Sequence, residues 1–289
     1  MNPTIQSIIA QIPAWSQARI GAAARRITVE PRKGGLTNAN YLLTVDGERF
    51  VLRLSGDNTA QLGINRETEL DALMAASSAG IAPQVVLFTL PEGHLVTRFV
   101  EGHEWTVEEF KAPDVIRRVA ATLRRVHALP PIEGAFSPYR DVEQRLAIAR
   151  TRNVDLPERL DALLERLYAI ERERAEESSL KLCHNDPFHN NFIDDGNVYL
   201  FDWEFAGMGD IFFDLASACH FGTAEQKDYL LECYFGEVTQ DARHTLEQMW
   251  YVVAFWNAAW ALLQIGNPHA DFDYTGMARR VFARMAARI

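Results

Sequence analysis

The sequence predicts an α+β fold with a small, mostly β N-terminal lobe over residues 1–100 and a larger, mostly α C-terminal lobe over residues 101–289. Three observations predict this order of elements. An Asp46-Gly47 pair separates two alternating apolar segments, which is a strong signal for a hairpin. In the second lobe, apolar residues recur at helical spacing. A short hairpin pattern over residues 191–202 interrupts that helical region.

In the N-terminal lobe, the turn residues delimit each element. The predicted elements are strands over residues 39–44 and 49–54, a helix over 64–79, and strands over 84–89 and 94–100. Gly80 closes the helix and Pro83 prevents it from continuing. The apolar spacing predicts one buried helix face, formed by Leu70, Leu73, Met74 and Ser77.

In the C-terminal lobe, the 3.6-residue period dominates. The predicted elements are helices over residues 115–127 and 156–169, and short strands over 191–193 and 198–202. Residues 249–266 carry no formal charge, and their length is near the lower limit for a membrane span. Because Asn257 and Gln264 interrupt this stretch, we predict a buried helix of a soluble domain.

Composition excludes several classes of protein. The apolar fraction of 48% and the charged fraction of 24% are those of a globular chain, not of a collagen, a coiled coil or a disordered protein. Three cysteines, Cys183, Cys219 and Cys233, are too few for a disulfide scaffold. The formal net charge of −10 argues against a broad nucleic-acid footprint. Residues 1–13 lack the form of a secretory signal, so we expect a cytoplasmic protein with free thiols.

The strongest chemical motif is His-x-Asp-x4-Asn, formed by His184, Asp186 and Asn191 and followed by Asp202. Asp186 lies in a loop before a predicted strand that Asn191 begins, and the hairpin folds Asp202 back beside Asn191. One carboxylate can then accept a substrate proton, while a carboxylate and an amide oxygen share a hard cation such as Mg²⁺. This is the set of groups that a phosphoryl-transfer site requires.

Two other interpretations of this motif remain open on the residues alone. His184, Asp186 and His189 crowd one loop and could be the metal ligands of a hydrolase, although no further ligand with suitable spacing is evident. The whole segment could also be a polar turn. The hairpin that returns Asp202 to this loop favours phosphoryl transfer over both.

The N-terminal lobe supplies groups that suit a phosphate ligand. The segment from Lys33 to Asn40 contains two glycines and small polar residues, which let backbone N–H groups approach phosphates closely. Arg53 ends an apolar strand and is expected to need a buried partner. Glu69 on the following helix can supply it, with Glu67 as the alternative.

Together these motifs resemble the choline/ethanolamine kinase family, within the group that includes aminoglycoside phosphotransferases and shares the protein-kinase fold. The matching segments are Gly-Gly-Leu-Thr-Asn (34–38), Val-Leu-Arg-Leu (51–54), Asn-Arg-Glu-x-Glu-Leu (65–70), Cys-His-Asn-Asp (183–186), Asp-Trp-Glu-Phe-Ala-Gly-Met-Gly-Asp (202–210) and Phe-Asp-Leu-Ala (213–216). The resemblance implies a protein-kinase-like two-lobed fold, ATP and Mg²⁺ as cofactors, and a small amino-alcohol as acceptor.

The resemblance also implies a role for individual residues. Asp186 would be the catalytic base, and Asn191 and Asp202 would hold Mg²⁺. Asp214 would brace the catalytic loop, and His184 would pack it. The implied nucleotide-binding residues are Gly34, Gly35, Thr37, Asn38, Arg53, Glu69, and Thr97 and Phe99 of a hinge over residues 97–100.

The acceptor end of the site is expected to recognise a cationic head. A trimethylammonium group donates no hydrogen bond, so aromatic faces and nearby carboxylates must bind it. The candidate residues are Glu204, Phe205, Tyr251, Trp256 and Trp260. Position 221 is Phe where the family would have glutamate, which favours ring binding and a preference for choline over ethanolamine. We therefore expect Trp256 or Trp260 to line a pocket facing Asp186, with Glu204 at its rim; a purely core role for these aromatics is the alternative.

The resulting hypothesis is a kinase that transfers the ATP γ-phosphate to the hydroxyl of choline or ethanolamine. Two alternatives are a kinase of another hydroxyl compound, such as an aminoglycoside or thiamine, and a protein of the same fold that binds ligand without catalysis. The intact set Asp186, Asn191 and Asp202 argues against the second. We expect no nucleic-acid partner and no stable membrane insertion, and a homodimer is compatible with the sequence.

Overall fold

The computed structural model of the chain describes residues 2–12, 26–32, 38–56, 59–177, 179–266 and 272–288. The strands are β1 Ile27–Arg32, β2 Ala39–Val45, β3 Glu48–Leu54, β4 Val85–Phe88, β5 Leu95–Arg98, β6 His103–Glu104, β7 Lys181–Cys183, β8 Phe192–Asp194, β9 Val198–Leu200 and β10 Gly207–Gly209. The helices are α1 Pro3–Ile9, α2 Arg66–Ser78, α3 Pro113–His127, α4 Pro138–Thr151, α5 Leu160–Glu177, α6 Ile211–Ala218, α7 Ala224–Phe235, α8 Gln240–Gln264 and α9 Tyr274–Ala286. The predicted α+β architecture is confirmed.

The N-terminal sheet has the strand order β1-β2-β3-β5-β4, and each neighbouring pair is antiparallel. Asp46 and Gly47 form the β2–β3 turn with φ of 50° and 92°, the left-handed backbone that a two-residue hairpin needs. One face of β2 and β3 is buried through Leu43, Phe50 and Leu52, and α1 packs on this face through Ile5 and Ile8. Both predicted strand pairs of this lobe are confirmed.

Helix α2 buries a different face from the predicted one. Met74 is 46% exposed, whereas Glu69 is fully buried together with Ala72, Leu73 and Ala76. Apolar spacing alone gave the wrong face because it does not include Glu69, whose burial beside Arg53 turns that side of the helix inward. Two guanidinium groups pair with Glu69, and this compensates for its burial.

The C-terminal lobe is built around α8. Its Val252, Val253 and Phe255 are fully buried, and the helix packs against α4, α6 and α9. The prediction of a buried helix over the uncharged stretch is confirmed, since α8 covers most of it. In the part of the chain that the structure describes, no helix is both long enough and apolar enough to cross a membrane.

Two small β elements interrupt the helices and carry the functional motif. Strands β8 and β9 pair with Phe192 opposite Leu200, which is the predicted inserted hairpin, and β6 adds a third strand beside β8. Strand β7 pairs with β10. The loop from β7 to β8 and the segment from β9 to β10 therefore lie next to each other, beneath the N-terminal sheet and α2.

Candidate active site

The structure brings Asp186, Asn191 and Asp202 together through the β8–β9 hairpin. The N–H of Phe201 donates to the carbonyl of Asn191 at 3.0 Å, which places the residue after the hairpin beside its start. Asn185 and Asp202 both adopt left-handed backbone, with φ of 65° and 67°. Such conformations are uncommon for residues other than glycine and concentrate at functional sites. The pairing of β8 with β9 thus explains why Asp202 lies beside Asn191, as predicted.

Asn191 orients the candidate base. Its Nδ2 donates to Oδ2 of Asp186 at 2.9 Å and to the carbonyl of the same residue at 2.8 Å. The Oδ1 of Asn191 accepts from Nδ2 of Asn190 at 3.1 Å. The Oδ1 of Asp202 is buried without a hydrogen-bond partner among the described residues. Two oxygen atoms of the kind Mg²⁺ prefers are therefore present, and the residues fit that ion.

Negative charge is concentrated around these carboxylates. Burial, followed by the charge of Asp202, raises the pKa of Asp186 well above its usual range. Burial and Glu204 raise the pKa of Asp202 to about 7, against the opposing effect of Arg53. A site that crowds carboxylates in this way stabilises a bound cation, because the cation removes their mutual repulsion.

Arg53 bridges the two lobes. Its Nη2 lies 2.5 Å from Oε1 of Glu69, and its Nη1 lies 3.6 Å from Oδ1 of Asp202. The predicted pairing with Glu69 is confirmed, whereas the alternative partner Glu67 is exposed. Nη2 also donates to the carbonyl of Gly93 at 3.0 Å. A cation from β3 thus lies against the candidate metal-binding carboxylate.

Asp214 holds the catalytic loop from behind. Its Oδ1 accepts from the N–H of Asn185 at 2.6 Å, and its Oδ2 accepts from the N–H of His184 at 2.9 Å. His184 is buried, its Nε2 donates to the carbonyl of Phe201 at 3.1 Å, and its ring packs on Trp203. Burial lowers the pKa of His184 to about 4, so its ring is neutral at pH 7. These contacts match the expected bracing and packing roles.

The sequence did not identify the next member of this network. His127, at the end of α3, lies with Nε2 3.0 Å from Oδ2 of Asp214 and Nδ1 2.6 Å from the hydroxyl of Tyr234. Among the described residues, the one cluster of His, Cys, Asp and Glu atoms close enough for a metal is His127, Cys183 and Asp214. It excludes His184, Asp186 and His189, so the described structure gives the hydrolase alternative no metal site. Protein hydrogen bonds already use both nitrogens of His127.

On the nucleotide side, part of the prediction lies outside the described residues, namely Gly34, Gly35 and Thr37. Asn38 is described, and its Nδ2 donates to Oε2 of Glu204 at 3.0 Å. Thr97 is buried in β5. The ring of Phe99 lies 4.4 Å from the guanidinium carbon of Arg49, and its N–H donates to the carbonyl of that residue. The side chain and N–H of Phe99 are therefore engaged within the N-terminal lobe.

The acceptor residues are not assembled as expected. Glu204 is buried against Asn38 and Arg66 instead of lying at the rim of an aromatic pocket. A buried carboxylate needs cationic or hydrogen-bonding partners, and these residues of the N-terminal lobe provide them. Tyr251 is also displaced from the expected position: its hydroxyl donates to the carbonyl of Leu163 in α5. Tyr251 and Trp256 are five residues apart in α8, which places them on different helix faces.

Phe205 and Trp256 do meet, in an edge-to-face contact with ring centroids 4.9 Å apart. Trp256 is buried, and the guanidinium carbon of Arg145 lies 4.1 Å from its ring centroid. Trp260 packs instead on Tyr274 of α9, at 5.6 Å. The two tryptophans therefore do not form one cage, and the structure places an arginine of the chain itself over Trp256.

Arg145 is a second residue that the sequence analysis missed. It is buried in α4, within 3.4 Å of Asp141, and its Nη1 donates to the carbonyl of Trp256. Nε1 of Trp256 donates to Asp141 at 2.9 Å. Burial lowers the pKa of Arg145 to about 10, while Asp141 and Asp186 oppose that shift. The spacing of Asp141 and Arg145, four residues apart on one helix, was the available signal.

Comparison with known proteins places this geometry in a family. Protein LicA of Haemophilus influenzae is 27% identical over 214 residues, covering 72% of this chain and 62% of the relative. A solved structure of a choline/ethanolamine kinase family protein from Mesorhizobium loti is 26% identical, with a TM-score of 0.76 and coverage of 98% and 94%. That of choline kinase LicA from Streptococcus pneumoniae is 21% identical, with a TM-score of 0.78 and coverage of 98% and 99%.

The chain thus spans less than two thirds of the length of that Haemophilus relative. The structural likenesses confirm the predicted protein-kinase-like two-lobed fold. The phosphotransferase enzyme family matches residues 28–236. Because that match takes in Arg53, Glu69, Asp186, Asn191 and Asp202, and most of the chain with them, the chain belongs to the phosphotransferase enzyme family.

Proposed function

We propose that the protein is an ATP-dependent kinase that transfers the γ-phosphate to the hydroxyl of choline or ethanolamine. The observation that carries the reaction type is the convergence of Asp186, Asn191 and Asp202 with the Arg53–Glu69 pair across the two lobes. The acceptor class rests on the relatives, whose structures are described as those of choline and ethanolamine kinases. A cytoplasmic location and a homodimer stay predictions.

In this mechanism Asp186 accepts the proton of the acceptor hydroxyl as the oxygen attacks the γ-phosphorus. The bond between the γ-phosphorus and the bridging oxygen breaks, and ADP leaves with the electron pair. Asn191 fixes Oδ2 of Asp186 through its amide N–H, so that the base is oriented before substrate binds. Arg53, positioned by Glu69, binds phosphate oxygens. Asn191 and Asp202 would hold Mg²⁺, which supplies neutralisation of phosphate charge.

The N-terminal lobe fits a polyphosphate ligand. Nε and Nη1 of Arg53 are buried and have no hydrogen-bond partner among the described residues. A buried guanidinium nitrogen without a partner is costly, and phosphate oxygens are the acceptors that suit it best. These two unpaired donors of Arg53 support ATP as the second substrate.

The structure changes the argument about the acceptor head group. A preference for choline was predicted from the ring faces of Trp256 and Trp260, yet Arg145 lies over the Trp256 ring. A trimethylammonium group cannot use that face without displacing a buried guanidinium. Choline and ethanolamine therefore remain equal candidates, and a role of Trp260 in binding the acceptor stays a prediction.

A side-by-side assay of ADP release with Mg-ATP tests the proposal. The panel is choline, ethanolamine, an aminoglycoside and thiamine, each with the wild type and with Asp186→Asn. We expect ADP release with choline or ethanolamine, and Asp186→Asn should slow it by about 10² to 10⁴. Asp71→Asn, at an exposed position of α2, should leave the rate unchanged. If only the aminoglycoside or thiamine is phosphorylated, the assignment of choline or ethanolamine as acceptor would be wrong. If the protein binds ATP but releases no ADP with any of these hydroxyl compounds, the result would favour a binding protein without catalysis.

A further inference from the structure

Arg66 is a buried cation that the mechanism above leaves without a role. It is the first residue of α2, directly after the cap Asn65, and its side chain is 6% exposed. Burial of a cation is unfavourable, and the N-terminus of a helix carries partial positive charge, which adds to the cost. Strong compensation must therefore come from anions around Arg66.

Two carboxylates provide part of that compensation. Nη1 of Arg66 donates to Oε2 of Glu69 at 2.5 Å and lies 3.6 Å from Oε2 of Glu204. The other oxygen of Glu69 contacts Arg53 at 2.5 Å. A single carboxylate of α2 thus binds two guanidinium groups, one on each oxygen.

The two arginines make equivalent contacts with the C-terminal lobe. Arg53 lies 3.6 Å from Asp202, and Arg66 lies 3.6 Å from Glu204, two residues further along the same segment. Both distances are longer than a hydrogen bond, so each contact is an ion pair in which no N–H donates to the carboxylate. Arg66 therefore occupies the same relation to the carboxylate segment as Arg53, which the mechanism assigns to phosphate.

Arg66 also has unused donors. Its Nε and Nη2 are buried with no hydrogen-bond partner among the described residues, as are Nε and Nη1 of Arg53. Four buried guanidinium nitrogens in one cluster call for a ligand with several negatively charged oxygens. The other nitrogens are already engaged: Nη1 of Arg66 by Glu69, and Nη2 of Arg53 by Glu69 and the carbonyl of Gly93.

A glycine turn packs against both arginines. A Cβ placed on Gly93, in the β4–β5 turn, would lie 2.3 Å from Cδ and Nε of Arg66. The carbonyl of Gly93 accepts from Nη2 of Arg53 at 3.0 Å. Only glycine leaves room for Arg66 in this position, so the same turn fixes the placement of both guanidinium groups.

We propose that Arg66 is a second phosphate-binding residue, acting beside Arg53 on the β- and γ-phosphates of the nucleotide. The proposal rests on the proposed function in that ATP is the ligand, but it does not depend on the identity of the acceptor. Arg53 and Arg66 together form a pair of guanidinium groups held by one carboxylate, and Glu204 keeps Arg66 directed to the lobe interface.

Nucleotide affinities measured without acceptor test this role. Dissociation constants of Mg-ATP and of AMP are determined by calorimetry for the wild type, Arg66→Met and Arg66→Lys. Loss of charge-assisted hydrogen bonds is expected to weaken ATP binding by about tenfold to hundredfold in Arg66→Met. AMP affinity should change less than threefold, and Arg66→Lys should recover part of the ATP affinity. Arg125→Met, which removes a cation that contacts the other end of α2, is the matched control.

The outcomes separate the two proposals. Equal weakening of ATP and AMP by Arg66→Met would indicate a structural role and overturn the inference while the kinase assignment stands. Wild-type protein that binds no ATP would overturn both. ATP affinity unchanged in a folded Arg66→Met variant would also remove Arg66 from the phosphate site.

A pair of glycine variants gives an independent test. Gly93→Ala should displace Arg66 and weaken ATP binding in the same direction as Arg66→Met. Gly80→Ala places alanine at a similar left-handed backbone position, φ of 65° against 77°, but its Cβ would meet no atom within 4 Å. If both variants weaken ATP binding equally, backbone strain alone explains the loss, and this result would contradict the role of Arg66.

Discussion

Asp186 owes its position to Asn191 and its elevated pKa to burial and to Asp202. Replacing it with asparagine keeps the shape of the side chain and removes the proton acceptor. General-base assistance contributes about 10² to 10⁴ in rate, so Asp186→Asn should lower kcat by that order. ATP affinity should stay nearly unchanged, because Asp186 is assigned to the acceptor hydroxyl and not to the nucleotide.

Steady-state kinetics with saturating ATP and acceptor measure kcat, and calorimetry measures ATP affinity. A kcat that equals the wild-type value would remove Asp186 from the chemical step. A parallel loss of ATP affinity would instead mean that the substitution disturbs the loop braced by Asp214.

Helix α2 is the element that joins the two lobes of the site, because it carries both Arg66 and Glu69. Asn65 caps it by accepting from the N–H groups of Glu67 and Thr68 at 3.0 and 3.1 Å. Asn65→Ala should lower the free energy of unfolding by about 0.5–2 kcal/mol and fray the first turn. Since Arg66 and Glu69 lie in that turn, the KM for ATP should also rise.

Helix α1 offers a matched comparison for that prediction. Asn2 caps it in the same way, accepting from the N–H of Thr4 at 2.8 Å. Asn2→Ala should destabilise the protein without changing the KM for ATP. The two variants are compared by denaturant unfolding and steady-state kinetics, and an equal effect on KM would contradict the specific role of the α2 cap.

For the whole molecule, stability should depend on a buried histidine outside the catalytic loop. His220 stacks on Trp250 with ring centroids 5.3 Å apart. Burial, followed by the charges of Arg284, Lys227 and Arg288, lowers its pKa to about 4. In the unfolded chain the pKa is about 6.5. Between these values the unfolded state binds a proton that the folded state does not, so this contribution to stability is complete above pH 6.5 and is lost as the pH falls towards 4.

The expected loss from His220 is about 3 kcal/mol across this range. His220→Gln cannot titrate, whereas every other group titrates in both proteins. The wild type should therefore lose more stability than the variant between pH 7 and pH 4.5. Denaturant midpoints measured at intervals of pH report the difference, and identical pH slopes would show that His220 is not buried as a neutral ring.

Much of this architecture follows from local sequence. Asp46-Gly47 determines one hairpin, and Asp195-Gly196 determines the short hairpin that returns Asp202 to Asn191. Arg53 could be assigned a buried partner on α2 because an arginine in an apolar strand must be neutralised nearby. These predictions held because each depends on contacts between segments that are adjacent in sequence or joined by one turn.

The sequence by itself therefore determined the fold class, the catalytic loop and a carboxylate of α2 as the partner of Arg53, and the structure selected Glu69 over Glu67. Only the tertiary structure decided which residues surround the catalytic loop. The hydrogen bond from Asn38 to Glu204 joins positions 166 residues apart, and the one from Arg145 to Trp256 joins positions 111 residues apart. A hydropathy pattern assigns Arg66, Arg145 and Glu204 to the solvent, since an isolated charge is stable there. Their burial depends on partners that arrive from distant elements, and no local pattern encodes the mutual neutralisation that makes such burial possible.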